Sequence, residues 1–120
     1  MGLAFRRGRQ GERIALDFLK RYGLVPLEKN YRTTRGEIDL IMRDNETIVF
    51  VEVRARSDNN YMQPLESIDD HKVEHIIYAS RHYLQREKLE NDAYCRFDIV
   101  ILTGNDRQPK IEWIKNAFEA

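Results

Sequence analysis

Between Gly36 and Arg56 the chain reads GEIDLIMRDNETIVFVEVRAR, a run of Ile, Leu, Val and Phe with charged side chains at both ends. Strands show their faces by a period of two, and β-branched and aromatic residues favour them. Glu37–Arg43 and Thr47–Arg56 both read as strands, and Asp44-Asn45 between them is a turn signal. The segment therefore folds as a hairpin that most of a core must be built around. Carboxylates at the ends of such a pair need a reason, because an unpartnered carboxylate costs several kcal/mol to bury or shifts its pKa.

In the second strand Ile48, Phe50, Glu52 and Arg54 share one face, and Val49, Val51, Val53 and Ala55 share the other. In the first strand Glu37, Asp39 and Ile41 share a face. An even-length turn centred on Asp44-Asn45 predicts that Met42 pairs with Thr47 and Asp39 with Phe50, which places Asp39 diagonal to Glu52 on the same face. An odd-length turn would separate them. Two carboxylates converging at the open end of a sheet repel unless a positive charge lies between them. Oxygen-rich sites of this kind suit hard cations such as Mg²⁺ or Mn²⁺, and Arg54 would fall beside the same spot. The alternative is an ion-pair network at the sheet end, joining Asp39 or Glu52 to Arg54 or Arg56.

The remaining chain supplies the elements that cover this hairpin. Ile14, Ala15, Leu16, Phe18, Leu19 and Tyr22 recur with helical spacing, predicting a helix over Gly11–Tyr22 that stops at Gly23. Glu12 shares a helical face with Ala15, Leu16 and Leu19, at the end of the stripe that packs on the sheet. Leu24–Asn30 reads as an edge strand and Tyr31–Arg35 as a polar loop. After a loop over Ser57–Pro64, helical spacing returns over Asp70–Leu84. Phe97–Leu102 and Ile111–Ile114 are two further strands, the second followed by a tail. The order α-β-β-β-α-β-β, with a meander followed by a helical crossover, predicts an α/β fold: one domain with a mixed sheet flanked by helices.

A chain of 120 residues, 42% hydrophobic and 33% charged, is long enough for one core and belongs to the soluble globular class. Its apolar runs are far shorter than a bilayer span and no signal-peptide pattern opens it, so no membrane partner and a cytoplasmic location are expected. Cys95 is the single cysteine, which excludes an internal disulfide or a cysteine-based zinc cluster. The formal net charge is zero, yet residues 1–35 hold nine Lys and Arg against three Asp and Glu. That asymmetry suits a basic face meeting phosphates, or a helix and arm that simply stay solvated. Arg6, Arg7, Arg9, Arg32, Arg35 and Arg56 are the candidate phosphate contacts, which position a nucleic acid without reading its sequence.

The blocks GRQGERIALDFL, RGEIDLI, FVEVRAR and RFDIVIL, in this order from Gly8 to about Leu102, resemble the YraN-like family of predicted endonucleases. That family is in turn similar to archaeal Holliday junction resolvases of the PD-(D/E)XK nuclease superfamily. The resemblance implies a restriction-endonuclease-like core. It also implies Mg²⁺ or Mn²⁺ held by Asp39, Glu52 and the Val53 carbonyl with help from Glu12, and hydrolysis of structured or branched DNA, with a homodimer by analogy. The motif lysine falls on Arg54, which stays charged; it can stabilise a phosphate but is unsuited to act as a general base. By the same resemblance Lys72 is a candidate replacement lysine, against a plain solvated lysine that opens the second helix and meets phosphates. The family's glycine before the loop proline is absent from Met62-Gln63-Pro64. The rival expectation is a nucleic-acid-binding module that keeps the fold without the chemistry, its carboxylates locked to Arg54 and Arg56.

Gly36 predicts a turn or a close backbone approach. His71 and His75 lie one helical turn apart, but they and His82 lack the further ligand a metal set needs. Asp98, at the start of a buried strand, reads as a cap rather than a support for the carboxylates. Trp113 reads as core, and Tyr61 as the aromatic placed to touch a base.

Overall fold

A computed structural model describes residues 7–56, 69–91, 93–104 and 107–120, with side chains from Arg9 onward. Seven elements follow in the predicted order: α1 (Arg7–Arg21), β1 (Val25–Arg32), β2 (Glu37–Asp44), β3 (Thr47–Arg56), α2 (Asp70–Arg86), β4 (Tyr94–Thr103) and β5 (Lys110–Phe118). The strands form one mixed sheet in the order β1-β2-β3-β4-β5. Only β3 and β4 run parallel, joined through α2, and every other neighbouring pair is antiparallel. Parallel neighbours need a long crossover connection, and α2 supplies it.

The two faces of the sheet divide the apolar residues as alternation requires. Leu40, Met42, Val49, Val51, Val100 and Leu102 pack beneath Ala15 and Leu19 of α1. On the other face Ile41, Ile48, Phe50 and Phe97 pack beneath Ile76, Ala79 and Tyr83 of α2. At roughly 1.5–3 kcal/mol for each fully buried large aliphatic or aromatic side chain, these two layers are the principal favourable contribution to folding. Gly11 is buried on α1, and a Cβ there would stand 3.2 Å from Leu102 Cδ1, so its absence brings the helix close to the sheet beside Glu12.

The hairpin register differs from the expected one by two residues. Asp44 pairs with Thr47 and Leu40 with Val51, so the turn is the two-residue Asn45-Glu46. Asn45 takes a positive φ of 56°, which short hairpins require to match the twist of their strands. Asp-Asn and Asn-Glu are equally polar, so composition could not place the turn to within a residue. The shift is even, so it keeps the parity of the hairpin, but the ladder ends at Leu40 and Val51, before Asp39.

Other boundaries move outward. β1 continues through Tyr31 and Arg32, and β5 through Phe118, where a loop and a tail were expected. Phe118 stacks on Phe97 with ring centroids 4.9 Å apart. The loop expected over Ser57–Pro64, including Tyr61 and Met62-Gln63-Pro64, lies outside the described residues, as does Arg6.

Candidate functional site

Asp39 sits where the sheet forks. The β2–β3 ladder ends at Leu40 paired with Val51, and the next side chain down β2 takes the place of a ladder bond: Val53 N–H donates to Asp39 Oδ2 at 2.8 Å. Strict alternation also breaks here. Leu40 packs in the α1-side core, whereas Ile38, two residues away, packs in the α2-side core. Opposite the break, Asn30 of β1 adopts a left-handed φ of 51°, between the pairs Lys29–Leu40 and Tyr31–Ile38. Short polar side chains tolerate that conformation best.

From the fork Asp39 meets one carboxyl on each side of the sheet. Glu12 reaches it from α1, beside Asp39 and the Asn30 side chain. Burial raises the Glu12 pKa above the usual carboxylate range, and the charges of Asp39 and Glu37 add to that effect. Glu52 reaches Asp39 from the α2 side and is 5% exposed. Its pKa is pushed up to about 8, first by burial and then by Asp39, against the opposing pull of Lys72 and Arg54. Burial and a like charge both disfavour the ionised form.

Two cations approach Glu52. Lys72 Nζ stands 3.4 Å from Glu52 Oε2, and Arg54 Nε stands 3.6 Å from the same oxygen. Arg54 arrives as expected, two residues along β3. Lys72 arrives from α2, with its ammonium beside the carboxylates and its side chain partly exposed. Two local devices fix it there. Asp69 caps α2 by accepting from Lys72 N at 2.9 Å. Gly36 lets the β1–β2 loop press on the helix, since a Cβ at that position would lie 2.2 Å from His75 O. The expected close backbone approach at Gly36 is thus observed. Asp69 and Asn30 escaped the sequence reading; an aspartate just before a helical run signals a cap, whereas nothing local marks Asn30.

The donor set suits a divalent cation in part. Asp39 and Glu52 are in contact, and the C=O of Val53 leaves β3 on the same edge as the N–H that Asp39 accepts, as strand geometry requires. Hard cations that keep several waters are satisfied by one or two carboxylates. Among the described residues no group of three or more His, Cys, Asp or Glu side chains is gathered to hold a metal. Glu12 and Glu52 each meet Asp39 but from opposite faces. His71 and His75 rings lie 4.1 Å apart and gain no further ligand.

The arginines expected at phosphates separate. Arg9 is exposed and lines a recess beside Glu12. Arg32 pairs with Glu37 at 3.6 Å, and Arg35 lies over the Tyr78 ring at 5.5 Å. Arg56 Nε donates to Thr103 Oγ1 at 3.5 Å. Arg7 lies in α1, and its side chain is outside the described residues.

Asp98 corrects the expectation of a cap. It is fully buried at the irregularity in the β4–β5 ladder between Phe97 and Ile99. Its carboxylate accepts from Arg96 Nε at 3.1 Å, Trp113 Nε1 at 2.9 Å and Asn116 N at 2.9 Å. Trp113 and Asn116 lie 15 and 18 residues away, so no neighbouring sequence could reveal that role. Trp113 also packs edge-on against Phe18 and Tyr22.

Fold and site together define a mixed α/β domain, its five-stranded sheet flanked by helices, with a carboxylate pair and two cations at a strand fork. The family model described as Uncharacterised protein family UPF0102 matches residues 11–102, and the chain belongs to that family, the YraN-like proteins. A UPF0102 protein of Nitrosospira multiformis is 49% identical over 113 residues, spanning 94% of this chain and 92% of that protein. One from Nitrosomonas europaea is 47% identical over 119 residues, spanning 99% and 98%. One from Pseudomonas aeruginosa is 44% identical over 116 residues, spanning 95% and 93%. The matched residues run from Gly11, beside Glu12, to Leu102, so all of the carboxylates and both cations fall inside them. Among the described residues no helix is long and apolar enough to cross a membrane.

Proposed function

We propose that this protein is a metal-dependent endonuclease of the restriction-endonuclease-like, PD-(D/E)XK kind, acting on structured or branched DNA. The observation that supports this most is the contact of Asp39 with the buried Glu52 at the sheet fork, with Lys72 brought to 3.4 Å from Glu52 by a separate element.

Asp39, Glu52 and the Val53 carbonyl would hold Mg²⁺ or Mn²⁺, with Glu12 behind Asp39. Such an ion, when bound, polarises a phosphodiester and acidifies a water. The side chains do the rest. Glu52 would be ionised as a ligand, and Lys72 and Arg54 would balance the charge that builds on the phosphate oxygens. In the net reaction the water oxygen bonds to phosphorus, the phosphorus–oxygen bond to the departing sugar breaks, and that sugar oxygen takes up a proton. Arg54 holds the position of the motif lysine, and Lys72, whose compact ammonium reaches Glu52 from a separate element at 3.4 Å, would stand in for that lysine as a point charge. A homodimer would let two such sites cut opposite strands.

The second reading is a binding module without catalysis, favoured by the Glu52–Arg54 pair at 3.6 Å. Labelled linear, nicked, flapped and four-way-junction DNA incubated with Mn²⁺ tests both. Cleavage by the wild type that is lost in Glu52→Ala and Lys72→Ala supports the nuclease. Silence from the wild type and from Arg54→Lys, with DNA still bound, supports the module.

A further inference from the structure

We propose that the recess between α1 and β1 is a phosphate track that leads nucleic-acid backbone to the carboxylates. The proposal rests on the reading above for the kind of ligand. The recess has a volume of about 410 Å³ and is lined by Arg9 and Arg13 from α1 and by Lys29 and Asn30 from β1. Glu12, which also lines it, is the link to the site, since its carboxyl lies beside Asp39.

Geometry and charge both favour a polyanion. Arg9 and Arg13 lie one helical turn apart, about 6 Å along the axis, and Lys29 faces them from the sheet. All three are exposed. Asp17, one turn beyond Arg13, marks the other end of the recess and would repel a strand running further along α1. A second recess of about 410 Å³ is lined by Arg32, Arg35, Glu37 and His75, with Arg32 paired to Glu37 at 3.6 Å. A phosphate held by Arg9, Arg13 and Lys29 would sit beside Glu12, the recess carboxyl next to Asp39. Arg13 and Lys29 are the residues that sequence reading did not assign.

Binding of short duplex and four-way-junction DNA, followed by fluorescence anisotropy in EDTA over a range of salt, tests this without cleavage. The protein is compared with Arg13→Ala/Lys29→Ala and with Lys20→Ala/Arg21→Ala, a pair of equal charge change at the other end of α1. Losing two phosphate contacts lowers the slope of log affinity against log salt by about 2 and weakens binding by roughly tenfold or more. Arg13→Lys/Lys29→Arg, which keeps the charges, restores the slope. Binding by Arg13→Ala/Lys29→Ala that matches the control pair overturns the track, as does a wild type that binds neither DNA. A wild type that binds through these residues and cuts nothing keeps the track and removes the nuclease. A wild type that cuts, with binding untouched by Arg13→Ala/Lys29→Ala, removes the track alone.

Discussion

Replacing Glu52 by glutamine should stabilise the metal-free protein, and the gain should grow with pH. Glu52 is 5% exposed, and its pKa rises from 4.5 to about 8 on folding. A group whose folded-state pKa lies above its unfolded value contributes stability that is fully present below about 4.5 and is lost as pH rises through about 8. At about 1.36 kcal/mol per pKa unit, the full rise corresponds to about 5 kcal/mol once the side chain is ionised. Water entry and relaxation around a buried charge reduce such figures, which leaves about 2–3 kcal/mol as the expected gain at about pH 9. For a domain of this size that is roughly 10 °C in Tm. Glutamine keeps the shape and hydrogen-bonding capacity of Glu52 but has no charge to lose. Thermal unfolding followed by circular dichroism in EDTA, at about pH 5 and about pH 9, measures the difference between wild type and Glu52→Gln. A small difference at low pH that opens at high pH supports the burial argument. A Glu52→Gln protein less stable than wild type at about pH 9 would refute it, because Lys72 and Arg54 would then outweigh burial. Such a result would also remove the physical tension that a bound cation relieves.

Three further outcomes are expected. Mn²⁺ affinity, measured by calorimetry, should rise from mildly acidic pH to about pH 8 with proton release, because Glu52 must ionise to become a ligand; pH-independent binding would place the ion elsewhere. Gly36→Ala should cost about 3 kcal/mol in urea unfolding, since its Cβ would stand 2.2 Å from the backbone oxygen of His75. If it folds, it should shift α2 and with it Lys72; an unchanged midpoint would show that the loop has room to move. Asp98→Ala should cost about 3–5 kcal/mol by abandoning Arg96, Trp113 and Asn116, with DNA affinity unchanged in whatever fraction stays folded.

The order of elements and the mixed sheet were legible in the chain because each depends on a local period. Alternation over Thr47–Arg56 and helical spacing in α1 and α2 are properties of neighbouring residues, and parity survives a register error of two. The sequence alone thus determined which side chains could meet. Tertiary structure decided which of them do. The break in alternation at Asp39 exists because the β2–β3 ladder ends at Leu40 and Val51 and the carboxylate takes over a strand N–H. That break lets one aspartate touch Glu12 on one side of the sheet and Glu52 on the other. Lys72 reaches Glu52 only because α2 crosses back over the sheet and is seated against Gly36. Asp98 is satisfied by partners 15 and 18 residues distant, and Phe118 finds Phe97 across the sheet. Each of these is a contact between elements, set by packing, and no window of local sequence carries it.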